Sequence, residues 1–200
     1  MSEKEKCTEE FVRLLETLDE LREKCPWDKK QTNESLRKLT IEETYELSDA
    51  ILSGDDSKIK DELGDLMLHI VFYSKIGSEK GAFTITDVLK GINKKLRYRH
   101  PHVFGDVVVS GASEVEENWE KLKINEKTSN KPVLSGVPSS LPAIIKANRI
   151  QEKVRGVGFD WEKPEQIWDK VLEEIRELKD EIKNHDSGSL ESELGDVLFS

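Results

Sequence analysis

The chain has 200 residues, of which 36% are hydrophobic and 36% are charged, and its formal net charge is −10. This length and hydrophobic content allow a modest core in one domain or in two small ones. Two cysteines are too few for a disulfide scaffold, and the acidic balance argues against broad binding to nucleic acids or anionic membranes. No apolar signal segment and no membrane-spanning apolar run of ~20 residues is present, so we expect a cytoplasmic protein.

The composition is typical of an all-helical protein, because it is rich in Glu, Lys and Leu and contains only six prolines. Apolar periodicity in the first part of the chain predicts helices at about residues 5–24, 34–53, 57–77, 86–99 and 113–125. The fourth helix is expected to stop before Pro101, and the fifth to open with a capping box at Ser113 and Glu116. No stretch predicts a strand convincingly, although residues 103–109 form a short β-prone run.

A segment rich in Pro, Ser and Gly, residues 126–141, breaks the helical period and is predicted to be a linker. It separates a first helical domain, residues 1–125, from a second one, residues 142–200. Helices in the second domain are predicted at about residues 142–154, 165–184 and 189–200.

The second domain repeats an acidic pattern of the first. The surrounding residues keep the same register, since EETYEL corresponds to EEIREL and DELGDL to SELGDV. The acids recur 131 positions later: Glu43, Glu46, Glu62 and Asp65 (the first acidic cluster) correspond to Glu174, Glu177, Glu193 and Asp196 (the second acidic cluster). This recurrence indicates a duplication of one helical unit.

Acidic residues three positions apart are common on solvated helix faces, and this chain contains other such pairs, for example Glu20 and Glu23. Two features favour metal binding by the first acidic cluster instead. Like charges on consecutive helices repel each other and need a compensating cation, and the same set of acids recurs in the second copy.

The residues around Glu62 support a metal site. Glu62 and Asp65 are expected to lie along the edge of an apolar stripe that faces the core, which consists of Leu63, Leu66, Met67, Ile70 and Val71. Gly64 costs about 1 kcal/mol relative to Ala inside a helix, which suggests a close approach by another backbone or a ligand. Carboxylates with no nearby Cys or paired His suit Mg²⁺ or Mn²⁺ better than Zn²⁺.

Longer motifs extend the pattern: CPWDKKQT at 25–32, LTIEETYELSDAI at 39–51, DELGDLMLHIVFY at 61–73, KKLRYRHPHVFGD at 94–106, NWEKLK at 118–123 and GVGFDW at 156–161. Together they resemble the MazG-type nucleoside triphosphate pyrophosphohydrolases of the all-α NTP pyrophosphatase superfamily. The resemblance implies tandem helical bundle domains, dimers or higher oligomers, and cleavage between the α and β phosphates. It also implies that the acidic clusters bind Mg²⁺, with Mn²⁺ as a substitute, and that the first acidic cluster is catalytic.

Basic and aromatic residues complete the expected site, because metal alone leaves a triphosphate with excess negative charge. Lys95 and Arg99 share a helix face, and the resemblance implies that both contact phosphate; without it they would be interpreted as a solvated helix end. Lys58, one turn before Glu62, is expected to contact a phosphate or to form an ordinary ion pair with Glu62. Trp119 is either a core residue or, by the resemblance, a wall of the nucleotide pocket.

These features predict Mg²⁺-dependent hydrolysis of nucleoside triphosphates to the monophosphate and pyrophosphate, with broad base tolerance, in house-cleaning of the nucleotide pool. The alternatives are a non-catalytic acidic interaction or regulatory module, and a dUTPase-like phosphohydrolase with a different leaving group. Counterparts of Lys95, Arg99 and Trp119 in the second copy would fall beyond Ser200. We therefore expect an incomplete second domain and activity that comes from the first copy.

Overall fold

The computed structural model describes residues 1–112, 114–115, 118–119, 122, 132–159, 161, 163–184 and 187–200. These residues form helices, turns and irregular segments without a strand, which confirms the predicted all-helical class. Two compact units are present, Met1–Lys95 and Leu96–Ser200, and each is considered by itself below. None of the described helices combines the length and the apolar character needed to cross a bilayer. The cytoplasmic location stays a prediction.

The helices of the first unit agree with the predicted ones to within two residues at each end. They are α1 (Glu3–Lys24), α2 (Asn33–Ser53), α3 (Asp56–Glu79) and α4 (Ile85–Arg99), with a 3-10 turn at Asp28–Lys30 between α1 and α2. The boundary between the two units falls within α4.

The described helices of the second unit are α5 (Pro101–Phe104), α6 (Ala143–Arg155), α7 (Pro164–Asn184) and α8 (Ser187–Phe199), with a 3-10 turn at Val133–Gly136. Only part of the helix predicted at 113–125 lies within the residues that the structure describes. Ala112 and Leu122 are helical, and the predicted capping box at Ser113 and Glu116 lies outside the described residues. Residues 126–131 of the predicted linker also lie outside, so the predicted domain boundaries stay a prediction.

Pro101 has a second role that the sequence analysis did not predict. Helix α4 ends at Arg99 as expected, but Pro101 also begins the short helix α5, at its first position. Proline suits this position because its fixed φ is helical and its missing N–H would have no partner there.

A tight turn joins α2 to α3 and makes them an antiparallel hairpin. Gly54 closes α2 in the left-handed conformation, with φ of 68°, which glycine adopts at little cost. Asp55 then caps α3, because its carboxylate accepts hydrogen bonds from the backbone N–H groups of Ser57 at 3.0 Å and Lys58 at 3.2 Å. The turn therefore sets which residues of the two helices face each other.

The core of the first unit lies where α1, α2 and α3 meet. Its buried members are Leu18, Leu36, Val71, Phe72 and Ile76. The predicted stripe on α3 is wrong for three residues, since Leu63, Met67 and Ile70 are exposed. The run LMLHIVFY is apolar on most sides, so periodicity alone could not select a face, and contact with α1 selected the face of Val71 and Phe72.

Candidate active site

The first acidic cluster lies on the facing sides of α2 and α3. Carboxylate oxygens of Glu43, Glu62 and Asp65 lie within 4.8 Å of one another. Glu43 has Asp65 as its strongest charged neighbour, and Glu62 has Glu46. This pairing is what an antiparallel hairpin produces, because paired residues lie at similar distances from the turn. The structure thus brings Glu43, Glu62 and Asp65 together with Glu46 as a neighbour of Glu62, and their part in metal binding stays a prediction.

The electrostatics of the first acidic cluster are unbalanced. Burial, followed by repulsion from Asp65 and Glu46, raises the pKa of Glu43. Burial, followed by repulsion from Glu46, Glu43 and Asp65, also raises the pKa of Glu62. Among the described residues no cation contributes to either shift. Within the described part of the chain, the first acidic cluster therefore has no neutralising cation.

A further observation indicates the need for a ligand at this position. The Oε2 atom of Glu62 is buried and has no hydrogen-bond partner among the described residues. A Cβ on Gly64 would meet no atom within 4 Å, so the backbone approach expected at this glycine is not made within the described chain. An orphaned, buried carboxylate oxygen among other carboxylates fits a hard divalent cation such as Mg²⁺.

His69 follows Asp65 by one helical turn and was not singled out from the sequence. Its side chain is buried, and its Nδ1 atom has no hydrogen-bond partner among the described residues. Burial lowers the pKa of His69, while the charge of Asp65 opposes this shift. The sequence pattern that would have indicated His69 as a site residue is a histidine one helical turn after an acid.

The second acidic cluster also brings carboxylates together between two helices, α7 and α8. Carboxylate oxygens of Glu174, Glu177 and Glu193 also lie within 4.8 Å of one another. Burial, followed by repulsion from Glu177, Asp196 and Glu174, raises the pKa of Glu193. Glu177 acts on Glu193 as Glu46 acts on Glu62, but the converging set differs, because Glu177 takes part in the second copy where Asp65 does in the first.

One charge distinguishes the second cluster from the first. The Nζ atom of Lys170 lies 2.6 Å from Oε1 of Glu174, one of the three converging carboxylates. It also lies 3.2 Å from Oε1 of Glu173. The hydrogen bonds that the Lys170 ammonium donates to these two glutamates raise the pKa of Lys170 above its ordinary value, so the ammonium stays charged.

The predicted substrate-binding residues are distributed over both units. Lys58 and Lys95 are exposed residues of the first unit. Lys58 does not contribute to the pKa shift of Glu62, so the ion pair expected between Lys58 and Glu62 is not observed. In the second unit the guanidinium carbon of Arg99 lies 5.7 Å from the ring centroid of Trp119, a cation–π contact. The part that these residues take in substrate binding stays a prediction.

A helical hairpin whose converging carboxylates face no cation among the described residues defines an all-helical protein with a candidate site for a divalent metal. The chain belongs to the MazG nucleotide pyrophosphohydrolase family, because the model of that domain matches residues 31–104 and 162–200, more than half of the chain. It is therefore an enzyme, a hydrolase that acts on acid anhydrides, and the family predicted from the motifs is confirmed.

Individual relatives agree with this family. A Thermotoga maritima protein named nucleoside triphosphate pyrophosphohydrolase/pyrophosphatase MazG is 48% identical over 193 residues, which cover 95% of this chain and 73% of that protein. The nucleoside triphosphate pyrophosphohydrolase of Escherichia coli is 42% identical over 195 residues, which cover 94% of this chain and 74% of that protein.

A solved structure supports the fold alone. The crystal structure of a MazG-related protein from Thermotoga maritima matches with a TM-score of 0.50 at 24% identity. The match covers 56% of this chain and 98% of that protein.

Proposed function

We propose that this chain hydrolyses nucleoside triphosphates to the monophosphate and pyrophosphate with Mg²⁺ held at the first acidic cluster. The observation that carries this proposal is the buried, unpartnered Oε2 atom of Glu62 among carboxylates that no cation of the described residues neutralises. The names of the relatives in Thermotoga maritima and Escherichia coli support the substrate class.

In this proposal Glu43, Glu62 and Asp65 hold the ion, because their oxygens already converge, and Glu46 supports Glu62 from the facing helix. A Mg²⁺ ion held there, or Mn²⁺ in its place, would supply positive charge to offset that of the triphosphate. A carboxylate of the cluster accepts the proton of the attacking water.

Lys95 and Arg99 are proposed to bind phosphate, with Lys58 as a third cation near the start of α3. Trp119, with Arg99 against its ring, is proposed as one wall of the base pocket. An aromatic wall contacts any base through its π face, so we expect broad tolerance among nucleotides. Such tolerance suits house-cleaning of the nucleotide pool.

The test of the reaction is product analysis with each common ribo- and deoxyribonucleoside triphosphate in the presence of Mg²⁺. We expect pyrophosphate and the monophosphate, and loss of activity when EDTA removes the metal. Release of orthophosphate with a diphosphate would contradict the proposed bond cleavage and favour the different leaving group. An unchanged rate in EDTA would contradict the metal requirement.

We further propose that the first copy carries the activity of this chain. The repeat supplies matched variants, Glu62→Ala and Glu193→Ala, which remove equivalent carboxylates from the two clusters. We expect Glu62→Ala to lower the rate of pyrophosphate release about 100-fold or more, because a metal ligand is lost, and Glu193→Ala to retain a near-normal rate. The reverse result would assign the activity to the second copy.

A further inference from the structure

A line of polar side chains runs along the face of α3 that packs on α2. Its members on α3 are three or four positions apart, so they lie on one side of that helix. Glu62 and Asp65 converge with Glu43 of α2 at one end of the line. The hydroxyl groups of Tyr73 and Thr40 lie 2.6 Å apart at the other end. The residues of this line, which is termed the hairpin seam, are Thr40, Glu43 and Glu46 on α2 and Glu62, Asp65, His69 and Tyr73 on α3.

His69 lies in the middle of the hairpin seam. It is one helical turn from Asp65 and one turn from Tyr73, and it is 7% exposed. The charge of Asp65 acts on His69, so the two side chains are neighbours. The Nδ1 atom of His69 is buried and has no hydrogen-bond partner among the described residues. The imidazole therefore has a capacity for hydrogen bonding that the described residues do not use.

Hydrogen-bond donors are scarce along the hairpin seam. Its four acids only accept hydrogen bonds when they are ionised. The Thr40 hydroxyl donates to the carbonyl of Leu36 at 3.0 Å, so the Tyr73 hydroxyl donates to Thr40 and both hydroxyl protons are in use. Among the residues of the seam, His69 is therefore the one whose side chain can donate a hydrogen bond to a neighbouring carboxylate.

We propose that His69 is a positioning residue of the first acidic cluster, whose imidazole N–H holds the Asp65 carboxylate in the orientation that ligates a divalent cation. Carboxylates that ligate metals are commonly held by such hydrogen bonds, and loss of the donor weakens metal binding about 10- to 100-fold. The inference rests on the proposed function, because it takes the first acidic cluster as a metal site. It goes beyond that function by assigning a role to a residue outside the cluster.

The test is Mn²⁺ binding by the full chain, with the free ion measured by electron paramagnetic resonance. The parent protein carries Glu177→Gln and Glu193→Gln, which remove two of the three converging carboxylates of the second acidic cluster, so the remaining binding reports on the first. His69→Met and His69→Gln are then compared in this parent, because Met and Gln are similar in length and only Gln keeps an N–H donor. We expect His69→Met to weaken Mn²⁺ binding about tenfold and His69→Gln to stay within about threefold of the parent.

The melting temperature in EDTA separates a positioning role from a structural one. His69→Met removes a buried polar atom that has no partner among the described residues, so we expect the stability without metal to stay the same or to rise. A loss of Mn²⁺ affinity in such a protein then comes from the lost donor and not from damage to the hairpin. Ser74→Ala is the control, since Ser74 is also buried on α3 but lines a cavity with Leu15 and Leu18 of α1. It should leave the Mn²⁺ affinity unchanged.

The outcomes separate the inference from the proposed function. If the parent binds Mn²⁺ and His69→Met binds it equally well, the inference is wrong and the proposed function stands. The same holds if His69→Gln or Ser74→Ala loses as much affinity as His69→Met, because the N–H group is then not the cause. A His69→Met protein that loses both stability in EDTA and Mn²⁺ affinity would assign His69 a structural role and overturn the inference. If the parent binds no Mn²⁺, the metal site of the proposed function is wrong and the inference fails with it.

Discussion

At the scale of single residues, Glu62 shows how a site side chain can oppose folding. Burial and neighbouring carboxylates raise its pKa above the ordinary 4.5, so the folded chain holds this proton more tightly than the unfolded chain does. The resulting stabilisation is present below the ordinary pKa and is lost as the pH rises through the raised pKa. Above that range the ionised carboxylate needs a cation, which Mg²⁺ supplies in our proposal.

We therefore expect Glu62→Gln to raise the melting temperature of the protein in EDTA at neutral pH, because it removes an unbalanced charge. The difference from the unmodified protein should shrink as the pH falls below the ordinary pKa of 4.5, because the carboxyl then becomes protonated in both states. Mg²⁺ should raise the melting temperature of the unmodified protein more than that of the variant, which keeps only the second acidic cluster. Thermal unfolding followed by circular dichroism measures all three effects.

Glu16→Gln is the control for this prediction, since Glu16 is an exposed acid on α1. It should change neither the stability in EDTA nor the response to Mg²⁺. A Glu62→Gln protein that is less stable than the unmodified one in EDTA at neutral pH would show that the carboxylate is already compensated.

At the scale of elements, Arg22 joins three segments of the first unit. Its guanidinium donates hydrogen bonds to Glu79 at the end of α3, with distances of 3.0 and 2.5 Å, and to the carbonyl of Gln31 at 3.2 Å. It also donates to the carbonyl of Asp28 and lies 5.5 Å from the ring centroid of Phe72. The side chain is 11% exposed, so these contacts fasten the segment before α2 to α1 and α3.

We expect Arg22→Lys to lower the free energy of unfolding by about 2 kcal/mol, because lysine keeps the charge but cannot reproduce the forked donors. Urea unfolding measures this loss. Arg13→Lys is the control, since Arg13 pairs with Glu10 on the exposed face of α1, and it should change stability by less than about 0.5 kcal/mol. Equal effects of the two substitutions would mean that Arg22 adds no more than a surface charge.

At the scale of the whole molecule, apolar side chains remain uncovered on the helices of the first acidic cluster. On α3, Leu63 is 53% exposed and Met67 is 42% exposed, although both lie beside the cluster in sequence. No residue of α4 is buried, yet α4 carries exposed Val88, Leu89 and Ile92. An apolar surface of this kind on an otherwise charged chain favours association.

We therefore predict a homo-oligomer, a dimer or a higher assembly, whose contacts cover the exposed apolar residues of α3 and α4. Light scattering at micromolar concentration should give at least twice the chain mass of 22.9 kDa. Met67→Glu should shift the mass toward the monomer, because a charge would be buried in the contact. Val12→Glu, at an exposed apolar residue of α1, should not. A monomeric mass for the unmodified chain would contradict the prediction.

Local information was enough for much of the fold. Helix ends depend on caps and turns within a few residues. The bounds of α2, which Thr32 caps and Gly54 closes, therefore agree with the prediction to within two residues. The grouping of Glu43 with Asp65 also followed from sequence, because a short turn between two helices leaves only one antiparallel pairing. The family was identifiable for a similar reason, since its motifs lie in continuous segments.

Packing between helices decided what the sequence by itself could not. An α3 helix that is apolar on most sides has several faces to bury, and contact with α1 buried Val71 while leaving Met67 exposed. The unpartnered oxygen of Glu62 and the burial of Glu174 likewise depend on atoms brought together across a hairpin. The sequence determined which residues carry charge and where helices begin; the tertiary structure decided which charges are balanced, because burial and distance set the energy of a charge.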